Sequence, residues 1–233
     1  MKFLTNANYD WIEILSFSER PFRAKLIPAK VWVDLDCYRN NAKGLSNYCK
    51  KWRTKIKWGA DKRPSTNHIK IGGEYDYDSR QCILDICTDK ITYERFTFTD
   101  RGWDRFKFRL IQTLMHEMIH FMQYDRRGDK WSHYVVPYKK IGNKKKDEER
   151  KYLSEFDEIQ AYAHCVYLDV KMYRPNIPLD KILTMAKERS VSYTLKYILE
   201  SFDYDYRNNV AIPKLAQQIM KWDRKYQKLC NLT

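Results

Sequence analysis

The stretch Asp104–Tyr124, with the sequence DRFKFRLIQTLMHEMIHFMQY, decides the fold. Its apolar residues recur at spacings of three and four, which predicts one long amphipathic helix. The apolar stripe consists of Ile111, Leu114, Met115, Met118 and Met122. A polar stripe runs beside it, formed by Gln112, His116, His120 and Gln123. The predicted helix therefore has a core-facing side and, next to it, a side that carries ionisable residues. Gly128, after two arginines, is typical of the residue that ends such a helix.

The polar side contains His116-Glu117-Met118-Ile119-His120, which is the pattern HExxH. Histidines four residues apart lie on one face of a helix, with Cβ atoms about 5–6 Å apart. Two imidazoles placed in this way can bind one ion at Zn–N distances of about 2.0–2.1 Å. Glu117 projects about 100° further round the helix, where its carboxylate can reach a zinc-bound water and take its proton. We therefore predict a Zn²⁺ site with His116 and His120 as ligands and Glu117 as general base.

A catalytic zinc also needs a third protein ligand and a position left for water. Glu158 lies on the first turn of a second predicted helix, and the small Ala161 that follows would let this helix approach the first one closely. His133 lies nearer to the motif, in a predicted loop. We favour Glu158 because a carboxylate on a packed helix is held more firmly than a loop imidazole. Glu155 is the alternative within the same segment, and His133 remains the alternative outside it.

The chain changes character near residue 100, and the two sides predict an α+β fold. On the N-terminal side, short runs typical of strands and one basic amphipathic helix are predicted: Val31–Val33, His68–Ile71 followed by a turn at Gly72-Gly73, Gln81–Ile86, and the helix Asn41–Lys57. On the C-terminal side, helices are predicted from a Ser154 cap to Pro175 and over Leu179–Arg189, Tyr193–Ser201 and Lys214–Leu229, with a mobile loop over Lys139–Lys151. The buried face of the helix after Ser154 should consist of Ile159, Ala163, Val166, Tyr167 and Val170.

This organisation predicts a single domain over residues 1–233. Residues 1–100 should be mainly β and form a mixed sheet that packs on the HExxH helix, residues 101–170 should hold the helices of the metal site, and residues 171–233 should form a mainly helical C-terminal part. No GxSxG, P-loop or GxGxxG pattern occurs, so the sequence gives no support to a serine hydrolase, an NTPase or a dinucleotide-binding protein.

Charge and cysteines narrow the class of protein further. The chain has 44 Lys+Arg against 30 Asp+Glu, a net charge of +14, and residues 20–63 hold 13 basic and 3 acidic side chains. This segment could bind a polyanion such as nucleic acid or an acidic protein, or could serve solubility alone. No apolar run approaches the roughly 18 residues of a membrane span, and no secretory signal is visible, so we expect a cytoplasmic protein. The 6 cysteines include no CxxC pair and should be reduced thiols, with a Cys82–Cys87 bridge as the less favoured alternative.

HEMIH followed by Glu158-Ile-Gln-Ala161-Tyr-Ala163 resembles the gluzincin branch of the zincin metallopeptidases. The combination is similar to small metallopeptidase-like proteins often encoded by bacteriophages, and loosely to the ImmA/IrrE-like peptidases. The resemblance covers about residues 67–170. It implies a zincin-like fold, Glu158 as third zinc ligand, Glu117 as base, and a peptide substrate extended along a sheet edge, for which residues 81–86 are the candidate. A phage-encoded protein would act in the host cytoplasm or the virion.

Two other classes remain as alternatives. HEMIH also resembles the SprT-like proteases, which act on DNA and would use His133 as third ligand. Tyr134 stands where that family has glycine, however, and the chain lacks the cysteines of its zinc ribbon. The other alternative is a structural or assembly protein that keeps zinc only for stability.

Among the remaining ionisable residues, His164 should face away from the site, His68 should lie at the surface, and any of Tyr124, Tyr134 and Tyr162 could stabilise an oxyanion.

Overall fold

The computed structural model describes residues 34–39, 41–51, 53–59, 70–87, 100–130, 132–174, 176–188 and 191–231. These residues form an α+β structure that is mostly helical and contains a small three-stranded mixed sheet, as the sequence predicts at that level. They divide into two compact units, one within residues 27–122 and the other within residues 123–233. The predicted strand Val31–Val33 and the predicted surface residue His68 lie outside the described residues.

The first unit contains the sheet and most of the long central helix. Its elements are α1 (Ala42–Lys50), β1 (Thr54–Gly59), β2 (Lys70–Asp76), β3 (Gln81–Cys87) and α2 (Asp100–Arg126). Strand β3 lies between the other two, parallel to β1 with Thr54 opposite Cys82, and antiparallel to β2 with Asp76 opposite Gln81. Its residues alternate between the two faces of the sheet, so that Leu84 and Ile86 are buried while Asp85 is exposed.

The buried face of the sheet packs on α2. Tyr75 of β2, Cys82 of β3 and Leu114 of α2 form one buried cluster, against which Met118 and Phe121 pack. Of the predicted apolar stripe on α2, Ile111 and Leu114 are fully buried and the methionines are partly buried. The helix is longer than predicted and ends before Gly128, whose φ of +64° lies in the left-handed region that glycine adopts at low cost.

Two predictions for this unit are wrong in detail. Gly72 and Gly73 do not turn the chain, because they lie inside β2. The turn comes afterwards, where the carboxylate of Asp76 accepts hydrogen bonds from the backbone N–H groups of Asp78 and Ser79. The predicted helix Asn41–Lys57 begins after its Asn41 cap but ends at Lys50, because the residues from Thr54 onward pair with β3 instead.

The second unit contains the remaining helices: α3 (Lys144–Leu153), α4 (Phe156–Tyr173), a 3₁₀ turn (Leu179–Lys181), α5 (Ile182–Glu188), α6 (Tyr193–Ser201) and α7 (Ala211–Asn231). Helix α4 lies at its centre and packs on α6 and α7. Its buried face is the one predicted: Ile159, Ala163, Val166, Tyr167 and Val170. No helix in the described part of the chain is long and apolar enough to span a bilayer.

The predicted mobile loop Lys139–Lys151 is wrong, because its second half belongs to α3. Arg150 explains the order of this segment. Its guanidinium is 1% exposed, donates hydrogen bonds of 2.9 Å to the backbone carbonyls of Ser201 and Lys139, and pairs with Asp203. Ser201 and Asp203 lie about fifty residues later in the chain. Contacts that a local sequence pattern does not report therefore hold this charged stretch as a helix.

The predicted Ser154 cap of α4 is also wrong. Ser154 is the C-terminal cap of α3, and its backbone carbonyl accepts a hydrogen bond from the N–H of Val136. The residue that caps α4 is Glu155, and its side chain makes no capping hydrogen bond. Only two residues, Ser154 and Glu155, separate α3 from α4.

Candidate metal centre

The two histidines of the HExxH pattern meet on the buried side of α2. His116 and His120 are each 8% exposed, so they do not lie on a hydrated surface. Their rings stand nearly edge to face, with centroids 4.8 Å apart, and their Nε2 atoms are 3.1 Å apart. In a tetrahedral site with Zn–N distances of about 2.0–2.1 Å, neighbouring ligand atoms are about 3.3 Å apart. The pair of Nε2 atoms therefore already has the separation that one shared ion requires.

Glu158, on the first turn of α4, completes a group of three. One ligand atom from each of His116, His120 and Glu158 lies within 4.8 Å of the other two, and all three residues are buried. Movement of the carboxylate by about 1–2 Å would bring this set to tetrahedral spacing. Two imidazoles and one carboxylate are a donor set that catalytic zinc sites use, with the fourth position left for water. The residues present thus fit the ion that the sequence predicts.

The other two candidates for the third ligand are placed differently. Among the described residues, this is the only group of three or more His, Cys, Asp or Glu side chains close enough to share an ion, and neither His133 nor Glu155 belongs to it. His133 is exposed. Glu155 is the N-cap of α4, and its backbone forms an isolated bridge with Val135.

The same three side chains are also salt-bridged. A buried carboxylate beside an imidazolium is stabilised by the opposite charge, so the group has an explanation that involves no ion. Measurement of bound metal distinguishes a metal site from a buried ion pair, because only a metal site retains an ion during purification.

The first turn of α4 is fixed to the end of α2 by two side chains. Gln123 donates hydrogen bonds to the backbone carbonyl of Asp157 at 3.1 Å and to the side-chain oxygen of Gln160 at 3.0 Å. Arg127 pairs with both carboxylate oxygens of Asp157, at 2.9 and 2.5 Å. Bidentate pairs of this kind fix orientation as well as distance. Glu158 is the next residue after Asp157, so these contacts fix the backbone that carries it.

A tyrosine on α3 contacts the carboxylate itself. The hydroxyl of Tyr152 is hydrogen-bonded to Glu158 and to Tyr162, and the two tyrosine rings stand edge to face with centroids 6.3 Å apart. Burial raises the pKa of Tyr152, and the negative charge of Glu158 raises it further. The pKa of Tyr162 is also raised, chiefly by burial. Both hydroxyls therefore stay protonated at neutral pH and can act as hydrogen-bond donors.

Glu117 faces the sheet rather than the solvent. It is 4% exposed, and its carboxylate lies against the backbone of β2 at Gly73. The thiol of Cys82 is nearby. Burial raises the pKa of this thiol to about 12, and the charge of Glu117 contributes to the increase. The candidate base thus lies in a largely enclosed space between α2 and the sheet.

The remaining candidate residues are His164 and the tyrosines proposed for oxyanion stabilisation. His164 is fully buried, is hydrogen-bonded through Nε2 to the hydroxyl of Tyr226 at 2.9 Å, and packs on Trp222, as expected for a residue that faces away. Tyr134 is 58% exposed and packs its ring on Phe156. Among the oxyanion candidates, Tyr162 is hydrogen-bonded to Tyr152 and lies near the charge of Glu158.

The candidate substrate strand, residues 81–86, is not an edge of the sheet. It belongs to β3, which has β1 on one side and β2 on the other. Among the described strands, β2 is the edge strand that carries the glycine next to Glu117. An extended peptide could not pair with β3, so this prediction is wrong.

Two further predictions concern the cysteines and the basic segment. Cys82 and Cys87 are free, and their positions five residues apart on one strand place them too far apart for a disulfide. The described part of residues 20–63 contains Lys57, which pairs with Glu74 at 3.4 Å, and Asp36, which pairs with the buried Lys107. A polyanion contact through this segment stays a prediction.

Comparisons of the chain with protein-family models, with curated proteins and with solved structures give no match. The resemblance to the zincins therefore rests on the residues themselves.

Sequence reasoning missed three features that lie next to Glu117 or Glu158. Gly73 carried a usable signal, since a glycine inside an alternating strand pattern often marks close approach of another backbone or side chain. Tyr152 and the pair Arg127–Asp157 gave no signal that separates them from the other tyrosines and ion pairs of a chain with 18 tyrosines and 74 charged residues (44 basic plus 30 acidic).

Proposed function

We propose that the protein is a zinc-dependent metallopeptidase of zincin-like fold, with His116, His120 and Glu158 as metal ligands and Glu117 as general base. One observation carries the proposal: two imidazoles and one carboxylate, all buried, offer ligand atoms within 4.8 Å of one another, on a helix that also places a buried carboxylate next to the first histidine. The packing of a mixed sheet on the HExxH helix is the arrangement that the zincin resemblance implies, and it supports the same conclusion.

Zinc, when bound, supplies a Lewis acid that lowers the pKa of a water and polarises the scissile carbonyl. The residues of the chain do the rest. His116 and His120 would bind the ion through the lone pair of a neutral imidazole nitrogen. Glu117 accepts the proton of the attacking water and passes it to the leaving amine. The enclosed position of Glu117 excludes bulk water that would compete for the proton.

Tyr152 and Tyr162 lie next to the candidate ligand Glu158. The Tyr152 hydroxyl is bonded to Glu158, so it fixes the direction in which the carboxylate points. Partners that hold a ligand in this way commonly contribute 10–100-fold to metal affinity. Their protonated hydroxyls also leave a hydrogen-bond donor near the site for a developing negative charge.

The main competing class is a structural zinc protein, and Glu117 distinguishes the two. A site that only stabilises the fold has no use for a buried carboxylate beside the ligands. Glu117→Gln keeps shape and hydrogen bonding but removes the base, so it should retain zinc and thermal stability and lower hydrolysis of casein or a peptide library by about 10²–10⁴-fold. Glu148→Gln, which changes an exposed position on α3, is the matched control.

Three outcomes are informative. Full loss of cleavage in Glu117→Gln with zinc retained supports the peptidase. Equal cleavage by the variant and the wild type would show that the activity comes from another site or a contaminant. A wild-type protein that binds zinc and cleaves nothing in either assay would favour the structural class.

The setting of the enzyme is part of the same proposal. Free thiols at Cys37, Cys49, Cys82, Cys87 and Cys165 suit a reducing compartment such as the cytoplasm, which for a phage-encoded protein is that of the host. The substrate would be a protein or peptide. Contact of the basic segment with nucleic acid or an acidic protein would recruit such a substrate electrostatically and should weaken as salt increases.

A further inference from the structure

The two consecutive glycines of β2 face opposite sides of the sheet. Gly72 is paired with Asp85, whose side chain is exposed, and Gly73 is paired with Leu84, which is fully buried. Because successive side chains on a strand point to opposite faces, a side chain at position 72 would point outward and one at position 73 would point toward α2.

The space around the two positions differs accordingly. A Cβ at position 72 would meet no atom within 4 Å. A Cβ at position 73 would lie 2.7 Å from Oε1 of Glu117, 2.9 Å from its Cγ and 2.8 Å from Cγ2 of Thr113. These distances are shorter than carbon atoms tolerate, so the Glu117 carboxylate occupies the volume that any side chain at position 73 would need.

We propose that Gly73 is a positioning residue for Glu117: its lack of a side chain lets the carboxylate lie against the backbone of β2, and this contact sets where the carboxylate points. The catalytic consequence rests on the proposed function, since it matters for hydrolysis only if Glu117 is the base. The contact itself does not depend on an activity. A glycine in the interior of a strand often marks such a close approach.

Among the proposed site residues, Glu117 is the one that a side chain at position 73 would displace first. The three atoms nearest to its Cβ belong to Glu117 and Thr113, and neither residue is a candidate metal ligand. Gly73→Ala should therefore leave zinc binding intact and displace the carboxylate. A displacement of about 1 Å in a reacting group can cost up to about 100-fold in rate.

The test uses the full-length, zinc-loaded protein with ¹³C-labelled glutamate carboxyl groups. The Glu117 resonance is assigned by its disappearance in Glu117→Gln. Gly73→Ala should shift this resonance by more than its linewidth, and the matched variant Gly72→Ala should not. An unchanged Glu117 resonance in Gly73→Ala, or an equal shift in Gly72→Ala, would overturn the proposal.

A second variant covers the case in which Gly73→Ala fails to fold. Thr113→Ser removes the Cγ2 atom that the new Cβ would meet, so Gly73→Ala in the Thr113→Ser background leaves Glu117 as the obstacle. Thr113→Ser alone is its control. The double variant should show the same displacement of the Glu117 resonance, and a resonance that coincides with that of Thr113→Ser would contradict the proposal.

Casein hydrolysis supplies the functional readout. Gly73→Ala should lower kcat by about 10–100-fold with KM and zinc content unchanged, and should have no further effect in the Glu117→Gln background. An equal loss in both backgrounds would show that Gly73 acts through something other than Glu117. If wild-type protein does not cleave casein, the proposed function fails at this substrate, while the carboxyl resonance still decides whether Gly73 positions Glu117.

Discussion

Removal of the Glu158 carboxylate should abolish the stabilisation of the fold by zinc. For one site, a ligand at 100 times its Kd stabilises the native state by about 2.7 kcal/mol. In a chain of this length each kcal/mol raises Tm by about 2–4 °C, so zinc should raise Tm of the wild-type protein by about 5–11 °C. Loss of a supporting partner costs 10–100-fold in metal affinity, so loss of a ligand should cost roughly 10³-fold or more.

At the same zinc concentration, a 10³-fold weaker site leaves zinc at about one tenth of Kd, and the stabilisation falls below about 0.1 kcal/mol. Glu158→Ala should therefore show almost no difference in Tm between zinc and EDTA, measured by differential scanning calorimetry. Each variant is compared with its own EDTA baseline, since removal of a buried carboxylate changes the stability of the metal-free protein as well.

Two variants serve as controls for this experiment. Glu155→Ala changes the neighbouring N-cap, whose side chain makes no capping hydrogen bond, and His133→Ala changes an exposed imidazole. Both should keep the full zinc-dependent shift. A full shift in Glu158→Ala would refute the assignment of the third ligand, and loss of the shift in His133→Ala would favour the SprT-like ligand set.

Three further predictions follow from the surroundings of the site. Tyr152→Phe removes the hydrogen bond to the candidate ligand carboxylate and should weaken zinc binding by about 10–100-fold in calorimetric titration, and an unchanged Kd would contradict this role. Arg127→Ala breaks the bidentate pair with Asp157 and should lower the free energy of unfolding in urea by about 1.5–3 kcal/mol, whereas a change within error would mean the pair is not stabilising. The raised pKa of Cys82, about 12, leaves a thiolate fraction of about 10⁻⁴ at pH 8, so iodoacetamide should modify the exposed Cys37 before Cys82. Equal rates of modification of the two cysteines, measured by mass spectrometry, would contradict this.

The elements that the sequence predicted well are those whose signal is local and periodic. Helix α2 follows from apolar residues at spacings of three and four, and the buried face of α4 follows from the same pattern. Strand β3 follows from the run of strand-forming residues over Gln81–Ile86. The convergence of His116 and His120 follows from helix geometry alone.

The elements that the sequence predicted badly depend on partners distant along the chain. Helix α3 is ordered by the bonds of Arg150 to Ser201 and Asp203, about fifty residues later, and no local pattern reports them. The sequence predicts a turn at Gly72-Gly73, whereas both glycines lie inside β2 and the side chain of Glu117 packs against Gly73. The position of β3 in the sheet depends on β1, which the sequence read as part of a helix.

Anomalous scattering can locate bound zinc directly. Crystals of protein purified without chelator and supplied with one equivalent of zinc should show a single anomalous peak at the zinc edge, within about 2.0–2.2 Å of the two imidazole Nε2 atoms and the Glu158 carboxylate. His116→Ala and His120→Ala should lose the peak and keep the fold. A folded wild-type protein that shows no peak there, with the three side chains paired to one another instead, would contradict the proposed zinc site.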